Sequence, residues 1–369
     1  MEELLFISDK KFTDFTIPGG VQLCTTEFLQ YFKLAGFNPA IIKLDTTRSF
    51  SKKLRIKFGI EVYDRYDFEK YTDEIISQIN NKKLKLVAFN QLNLSPLVKY
   101  VKPRVSNEVK FIGLSHGNES GDFLHDITRG RKPSLIETWK LGKQLVSEND
   151  IFVNLLDGIV VIADNELAIN QWVGAEKQLY LPRILEDHFV SWTPTGDKAG
   201  FVGTLDHLPN KIGIQLLCNA LQKINFDKKI RIAGAPVEEG KALETKYSFV
   251  EYLGRLSEDA LVKEVSNWSL FLNPVFWYSR GSSTKLAQAL NWGLPTLTTP
   301  AGKRGYEIIN AKIVTADNRP ETFAQSLMDV LSNNDQLQCL KNASVDNVRR
   351  FDVSIWGKQL RNFVNSLHR

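Results

Sequence analysis

Leu270 to Tyr306 reads LFLNPVFWYSRGSSTKLAQALNWGLPTLTTPAGKRGY, and the order of residue types along it decides the fold. The apolar run Leu270 to Leu272 predicts a buried strand, and the polar stretch Ser279 to Ser283, with one glycine, predicts a loop. Leu286, Ala289 and Leu290 at i, i+3 and i+4 predict a helix over Thr284 to Asn291, with Ser282 or Ser283 placed to cap it and Gly293 to stop it. The Gly293 to Pro295 turn then delivers the chain into a second strand, Thr296 to Thr299.

A helix opened by small residues leaves its first N–H groups unpaired and aims the positive end of its dipole at one spot, which suits a phosphate. Lys285 and Arg280 add full charges, and a guanidinium can hold phosphate through two parallel bonds. The alternative is an ordinary strand-to-helix loop whose serine caps its helix and whose cations face water.

Outward from this stretch the same alternation repeats. Gly200 to Val202 reads as a strand ending at Gly203, Thr204 and Leu205, and a polar loop through Asn210 and Lys211 leads into a helix from Ile212 to Ile224. Lys229 to Ala233 is a strand ending at Gly234, Val250 to Leu253 another ending at Gly254 and Arg255, and Asp259 to Ser266 a helix. In the first half, Leu4 to Ile7 is a strand followed by a polar loop to Pro18, Gly19 and Gly20, where a glycine pair lets backbone approach a ligand or simply makes a turn. The next helix begins at Val21 and stops at Gly36, and PAIIKL resumes as a strand. Lys85 to Phe89 and Lys110 to Leu114 are short buried strands, the second running into Ser115, His116, Gly117, Asn118 and Glu119. A loop after such a strand lies where open α/β sheets bind ligands, so His116 is either a site residue or a surface-loop histidine. Pro133 to Ser147 reads as helical, Gly158 to Ala163 as a strand and Glu166 to Trp172 as a helix.

The stretch from Leu181 to Gly196 carries Pro and Gly and no period, which puts a domain boundary there. The expected architecture is α/β: two Rossmann-like, doubly wound domains, 1–190 and 191–350, facing a cleft, with 351–369 returning to the first. A length of 369 residues, 43% of them apolar, is enough for two such cores. No stretch has the ~20 uninterrupted apolar residues of a membrane span, and the N-terminus lacks a basic leader, so the expectation is a cytoplasmic protein. Cys24, Cys218 and Cys339 are far apart and form no ligand pattern, so they are expected to be packing residues, with no disulfide framework and no metal site.

The net charge is +5, and residues 1–190 are neutral, so the surplus lies wholly in 191–369. Such a modest surplus fits a small anionic ligand and argues against nucleic acid, which calls for a concentrated basic face. One local concentration, RSFSKKLRIK within Arg48 to Arg65, interleaves Phe50, Leu54, Ile56 and Phe58 with cations. It is either a solvated helix face or a patch for anionic headgroups at the inner membrane face, or for an anionic acceptor.

The runs FVGTLDHLPNKIGIQLLCNAL, IRIAGAP, VEYLGRLSEDALVKEVSNWSLFLNPVF and GSSTKLAQALNWGLPTLTTPAGKRGY, in this order and spacing, resemble the nucleotide-sugar glycosyltransferases of the GT-B fold, most closely the retaining group often called family 4. FDVSIWGKQLRNFV looks like that family's closing helix, PGGVQ like its glycine-rich acceptor loop and LSHGNE like its histidine loop. The resemblance implies metal-independent transfer of a sugar from a nucleotide diphosphate donor, held by the second domain, to a glycan, lipid-linked or protein acceptor held mainly by the first. It implies no cofactor beyond the donor, which is a co-substrate. On it, Lys211 stands near the place of the family's phosphate lysine, and Gly281, Ser282, Ser283, Thr284 and Lys285 would cradle the same diphosphate. His116 matches the histidine near the donor sugar, Gly19 and Gly20 would line the acceptor side, and Gly203, Thr204 and Gly234 the donor side. The backbone around Gly254 and Arg255 would face the base. The family's two glutamates spaced eight apart fall on Arg280 and Gln288, and its arginine after the first glycine falls on Thr204. Gln288 can still bond a ribose hydroxyl. The open readings are an active transferase, a catalytically inactive relative serving as a binding partner, and a sugar-nucleotide epimerase.

Overall fold

The computed structural model describes residues 1–369 apart from 17–18, 130, 194–195, 279 and 307–313. Pro18, Ser279 and Thr195, used above to place loops and the boundary, therefore lie outside the described residues. The chain divides into two units, Met1–Arg183 with Val353–Arg369, and Ile184–Asp352.

The first unit is built on strands β1 (Glu2–Asp9), β2 (Phe37–Leu44), β3 (Leu86–Asn90), β4 (Lys110–Leu114), β5 (Gly158–Val161) and β6 (Gln178–Tyr180). They form one parallel sheet in the order β2-β1-β3-β4-β5-β6, with Leu5 beside Val87 and Leu86 beside Lys110. β3 reads as an unbroken apolar run up to Asn90 because a parallel sheet is covered on both faces. The closing helix, Val353–Leu367, packs on Gly20–Leu34, where a Cβ on Gly357 would lie 2.7 Å from Leu34 Cβ, so only glycine permits the approach. Arg361 secures it by donating from Nε to Ala35 O (2.6 Å) while its guanidinium stacks on Phe37. The same helix Gly20–Leu34 is tied to the segment after β6: its Glu27 pairs with buried Arg183 at 2.6 Å, and its Tyr31 donates to Pro182 O at 2.8 Å.

The second unit carries β7 (Lys198–Val202), β8 (Lys229–Ala233), β9 (Val250–Gly254), β10 (Leu270–Asn273), β11 (Thr296–Thr298) and β12 (Val314–Thr315), parallel in the order β12-β11-β10-β7-β8-β9. Chain order reverses between β7 and β10, and ligands of open α/β sheets sit beyond the carboxyl ends of the strands at such a reversal. In the first unit the reversal falls between β1 and β3. Trp268 fills the second core where Gly200 stands: a Cβ there would lie 2.0 Å from the indole.

Three readings are corrected. The helix holding Lys211 begins at Leu208, with Pro209 in its first turn, so the lysine is helical rather than in a loop; proline's fixed φ suits that position. Glu119–Thr128, read only as the end of a loop, is a helix capped by Asn118, which accepts from Gly121 N. Cys24 and Cys218 are buried and burial pushes both thiols up to about 12, but Cys339 is exposed rather than a core residue.

Candidate functional site

In the second unit the strand ends that flank the reversal converge on Lys285. Gly203 follows β7 and Gly234 follows β8, and Gly203 N donates to Ala233 O while Gly234 N donates to Gly254 O, extending the ladder past the strands. A Cβ on Gly234 would stand 1.9 Å from Gly203 O, so glycine is needed there by close approach. After β10 the chain passes Gly281, at φ +63°, into the helix Thr284–Asn291. Ser283 caps that helix by accepting from Leu286 N, and Tyr306 holds the cap by donating to Ser283 O at 2.6 Å. Asn273, fully buried at the end of β10, donates to Thr298 Oγ1 and Gly302 O and so ties the loop to the neighbouring strand.

Lys285 lies in the first turn, where the helix dipole is positive. Its Nζ donates to Asn210 Oδ1 at 2.7 Å and stands over the Phe201 ring, and Asn210 is aimed by donating to Thr204 O. Burial, with Arg304 nearby, lowers the ammonium from 10.5 to about 8. Arg304 is itself buried and donates to Ala301 O and Arg280 O. Ser282 is 8% exposed, and its Oγ has no partner among the described residues. This corner therefore collects half-buried Lys285, buried Arg304, a helix N-terminus and a buried hydroxyl, a set that suits an anionic ligand.

Lys211 sits one helix away and is paired with Glu239, so any phosphate reaching it competes with a carboxylate. Thr284 and Gln288 are half-buried on the helix, whereas Arg280 and Arg255 are exposed, the latter just past Gly254 at φ +74°. Sequence reasoning missed Arg304, Asn210 and Glu239. For Arg304 the only available signal was its place just beyond the strand Thr296–Thr298.

The first unit has its own polar centre at the β1/β3 reversal. Asn90 Nδ2 donates to Ser8 Oγ and Thr25 Oγ1, and both hydroxyls spend their own protons on backbone carbonyls. The amide is thereby oriented, Asn90 Oδ1 must accept, and His116 Nε2, 2.7 Å away, is the donor. A neutral His116 therefore carries its proton on Nε2 and offers Nδ1 as its acceptor atom. Phe28 packs edge-on against the imidazole. Asp9, at the end of β1, accepts from Tyr66 Oη and Lys11 N. Asn118 N donates to Glu166, and Ser120 N, Ser120 Oγ and Tyr63 Oη donate to buried Glu148, which burial pushes up to about 7. Gly19 and Gly20 are exposed at the start of the helix Gly20–Leu34, which has no side-chain cap. Among the described residues no group of three His, Cys, Asp or Glu is placed to hold a metal ion.

Residues 196–333, within the second unit, match the family model described as glycosyl transferases group 1. The chain thus carries a group 1 glycosyltransferase domain, and its two parallel-sheet units match GT-B structures in fold. Sucrose-phosphate synthase from Thermosynechococcus elongatus superposes with a TM-score of 0.72 at 13% identity, over 100% of this chain and 99% of that one. Anabaena HepE in complex with UDP-glucose gives 0.68 at 11%, over 99% and 100%. S. aureus TarM in complex with UDP gives 0.65 at 9%, over 99% and 100%. At these identities the likeness is one of fold. No curated protein sequence matches the chain.

Proposed function

We propose that this protein transfers a sugar from a nucleotide diphosphate donor, with the diphosphate seated between Gly203, Ser282 and the start of the helix Thr284–Asn291. The observation that carries this reading is Lys285, an ammonium held beside Arg304 at the positive end of a helix, with no carboxylate on its Nζ among the described residues. A diphosphate supplies negative charge to that ammonium. As the glycosidic bond breaks, charge builds on the departing phosphate, and in this proposal Lys285, Arg304 and the first-turn amides stabilise it. Lys211 joins them once its carboxylate partner is displaced. Fixed cations give a metal-independent route, and the family resemblance extends the proposal to retention of configuration. His116, with its tautomer set by Asn90, is assigned to the transfer step.

Because HepE is described with UDP-glucose, the donor proposed first is a UDP-sugar, and the acceptor a glycan, lipid-linked or protein group. A thermal-shift series over UDP-, GDP- and TDP-sugars tests the donor, since a ligand that binds only the native state raises its stability. Conversion of a stabilising donor to free nucleoside diphosphate then tests turnover. A second reading, a relative that binds nucleotide without transfer, is favoured by Arg280 and Gln288 standing where the family has glutamates. Stabilisation by donor, with no turnover on any acceptor, would select it.

A further inference from the structure

The helix Leu135–Asp150 in the first unit is turned the wrong way for a core helix. Glu148 is its one buried residue among the described ones, while Leu135 is 92% exposed and Trp139, four residues on, 55%. Lys143 continues the same stripe with its Nζ over the Trp139 ring, and exposed Val146 follows. The segment after the helix Phe50–Lys57 lies against this helix: a Cβ on Gly59 would stand 3.2 Å from Lys140 Cα. The neighbours of Gly59, Phe58 and Ile60, are both exposed, and Phe50 is 75% exposed on a helix with no buried residue. Around these apolar groups, Lys53, Lys57, Lys132, Lys140 and Lys143 enter no ion pair among the described residues. The nearby carboxylates are engaged, Glu137 by Arg131, Glu61 by Arg55, and Asp64 and Asp67 by Lys52.

We infer that this face rests on a bilayer carrying anionic phospholipid, with Leu135, Trp139, Phe50 and Phe58 entering the headgroup boundary and the lysines meeting phosphates. Lysine is depleted from protein interfaces, whereas aromatic and aliphatic tips set among lysines suit a lipid surface. A second copy of the chain is a poor occupant, since two-fold pairing would set like charges together. The inference rests on the first unit alone and holds whatever the donor is.

The test is flotation of the full chain with vesicles of phosphatidylcholine, alone and mixed with phosphatidylglycerol. Wild type should float with the mixed vesicles, less so as salt rises, and with the neutral ones weakly or not at all. Lys53→Glu with Lys57→Glu should cut binding by more than tenfold, since each lysine near an anionic surface contributes about fivefold. Leu135→Ser with Trp139→Ser should abolish it at an unchanged melting temperature, because both side chains are exposed. No binding to mixed vesicles, binding that ignores lipid charge, or a dimer that either double variant disperses would each overturn the inference. Because no donor or turnover enters the measurement, its failure is separable from failure of the glycosyltransfer reading.

Discussion

Replacing Lys285 with methionine should move stability and ligand affinity in opposite directions. Holding the ammonium at about 8 instead of 10.5 means the folded protein works against its protonated form by about 3 kcal/mol at neutral pH. Methionine keeps most of the volume and removes that cost, but leaves Asn210 Oδ1 without its 2.7 Å donor, a loss of about 1 kcal/mol. The net is about 2 kcal/mol of added stability without nucleotide, which raises the melting temperature by roughly 4 to 8 °C for a unit of this size. Affinity for UDP should fall tenfold or more, because a half-buried cation no longer meets the diphosphate.

The pH dependence follows from the same group. Between pH 8 and 10.5 the unfolded chain binds more protons at Lys285 than the folded one, so stability of the unliganded wild type rises with pH across that window. A bound diphosphate favours the protonated lysine, so UDP affinity should instead fall as pH rises through 8, by up to about tenfold per pH unit. The methionine variant should lose both slopes. Titration calorimetry with UDP on either side of pH 8, alongside thermal melts, measures all of this. A Lys285→Met protein that melts lower and binds UDP as tightly as wild type, with the same pH dependence, would refute the reasoning.

Glu239→Gln should release Lys211 and tighten UDP binding by about threefold to tenfold, whereas Lys211→Ala should cost donor turnover about tenfold or more; equal effects of the two in calorimetry and rate assays would mean the pair is structural only. Asn90→Asp should raise the pKa of His116 above its wild-type value by placing a carboxylate at Nε2, and Asn90→Leu should let the ring exchange tautomers, both visible in ¹⁵N spectra of the five histidines assigned with His116→Gln; unchanged His116 signals in both variants would disprove the orienting role. Glu148 keeps its proton in the folded state up to about 7 and loses it near 4.5 when unfolded, so stability should drop by about 3 kcal/mol as pH rises through that interval. Glu148→Gln should flatten this slope in melts at matched pH, and a slope that survives the substitution belongs to another group.

What could be read from the chain and what could not divides by how far apart the interacting residues lie. The helix Thr284–Asn291 was legible because its apolar spacing, serine cap and terminal Gly293 are all local. Gly203, Gly234 and Gly254 were legible as strand ends, but the clash that requires glycine at 234 is made by Gly203 O, from another strand. Arg304 could not be placed beside Lys285 without knowing that β11 runs along β10 and returns the chain to the same corner. Asn90 looks like the polar end of an apolar strand, and only partners 82 and 65 residues away turn it into the group that orients His116.

The helix Leu135–Asp150 shows a different limit. Its period was readable, but period says only that a helix has two faces, not which one the protein covers. Here the covered side holds Glu148 with three donors, and the open side holds Leu135, Trp139 and Val146. A buried carboxylate costs free energy that apolar residues in the same place would not, and exposed Leu and Trp forgo burial worth about 2 kcal/mol each. A helix that gives up both terms in water recovers the second when its outer side chains leave water. An apolar surface outside the unit is therefore what makes this orientation favourable, and a lipid headgroup layer provides one together with the phosphates that the unpaired lysines can meet.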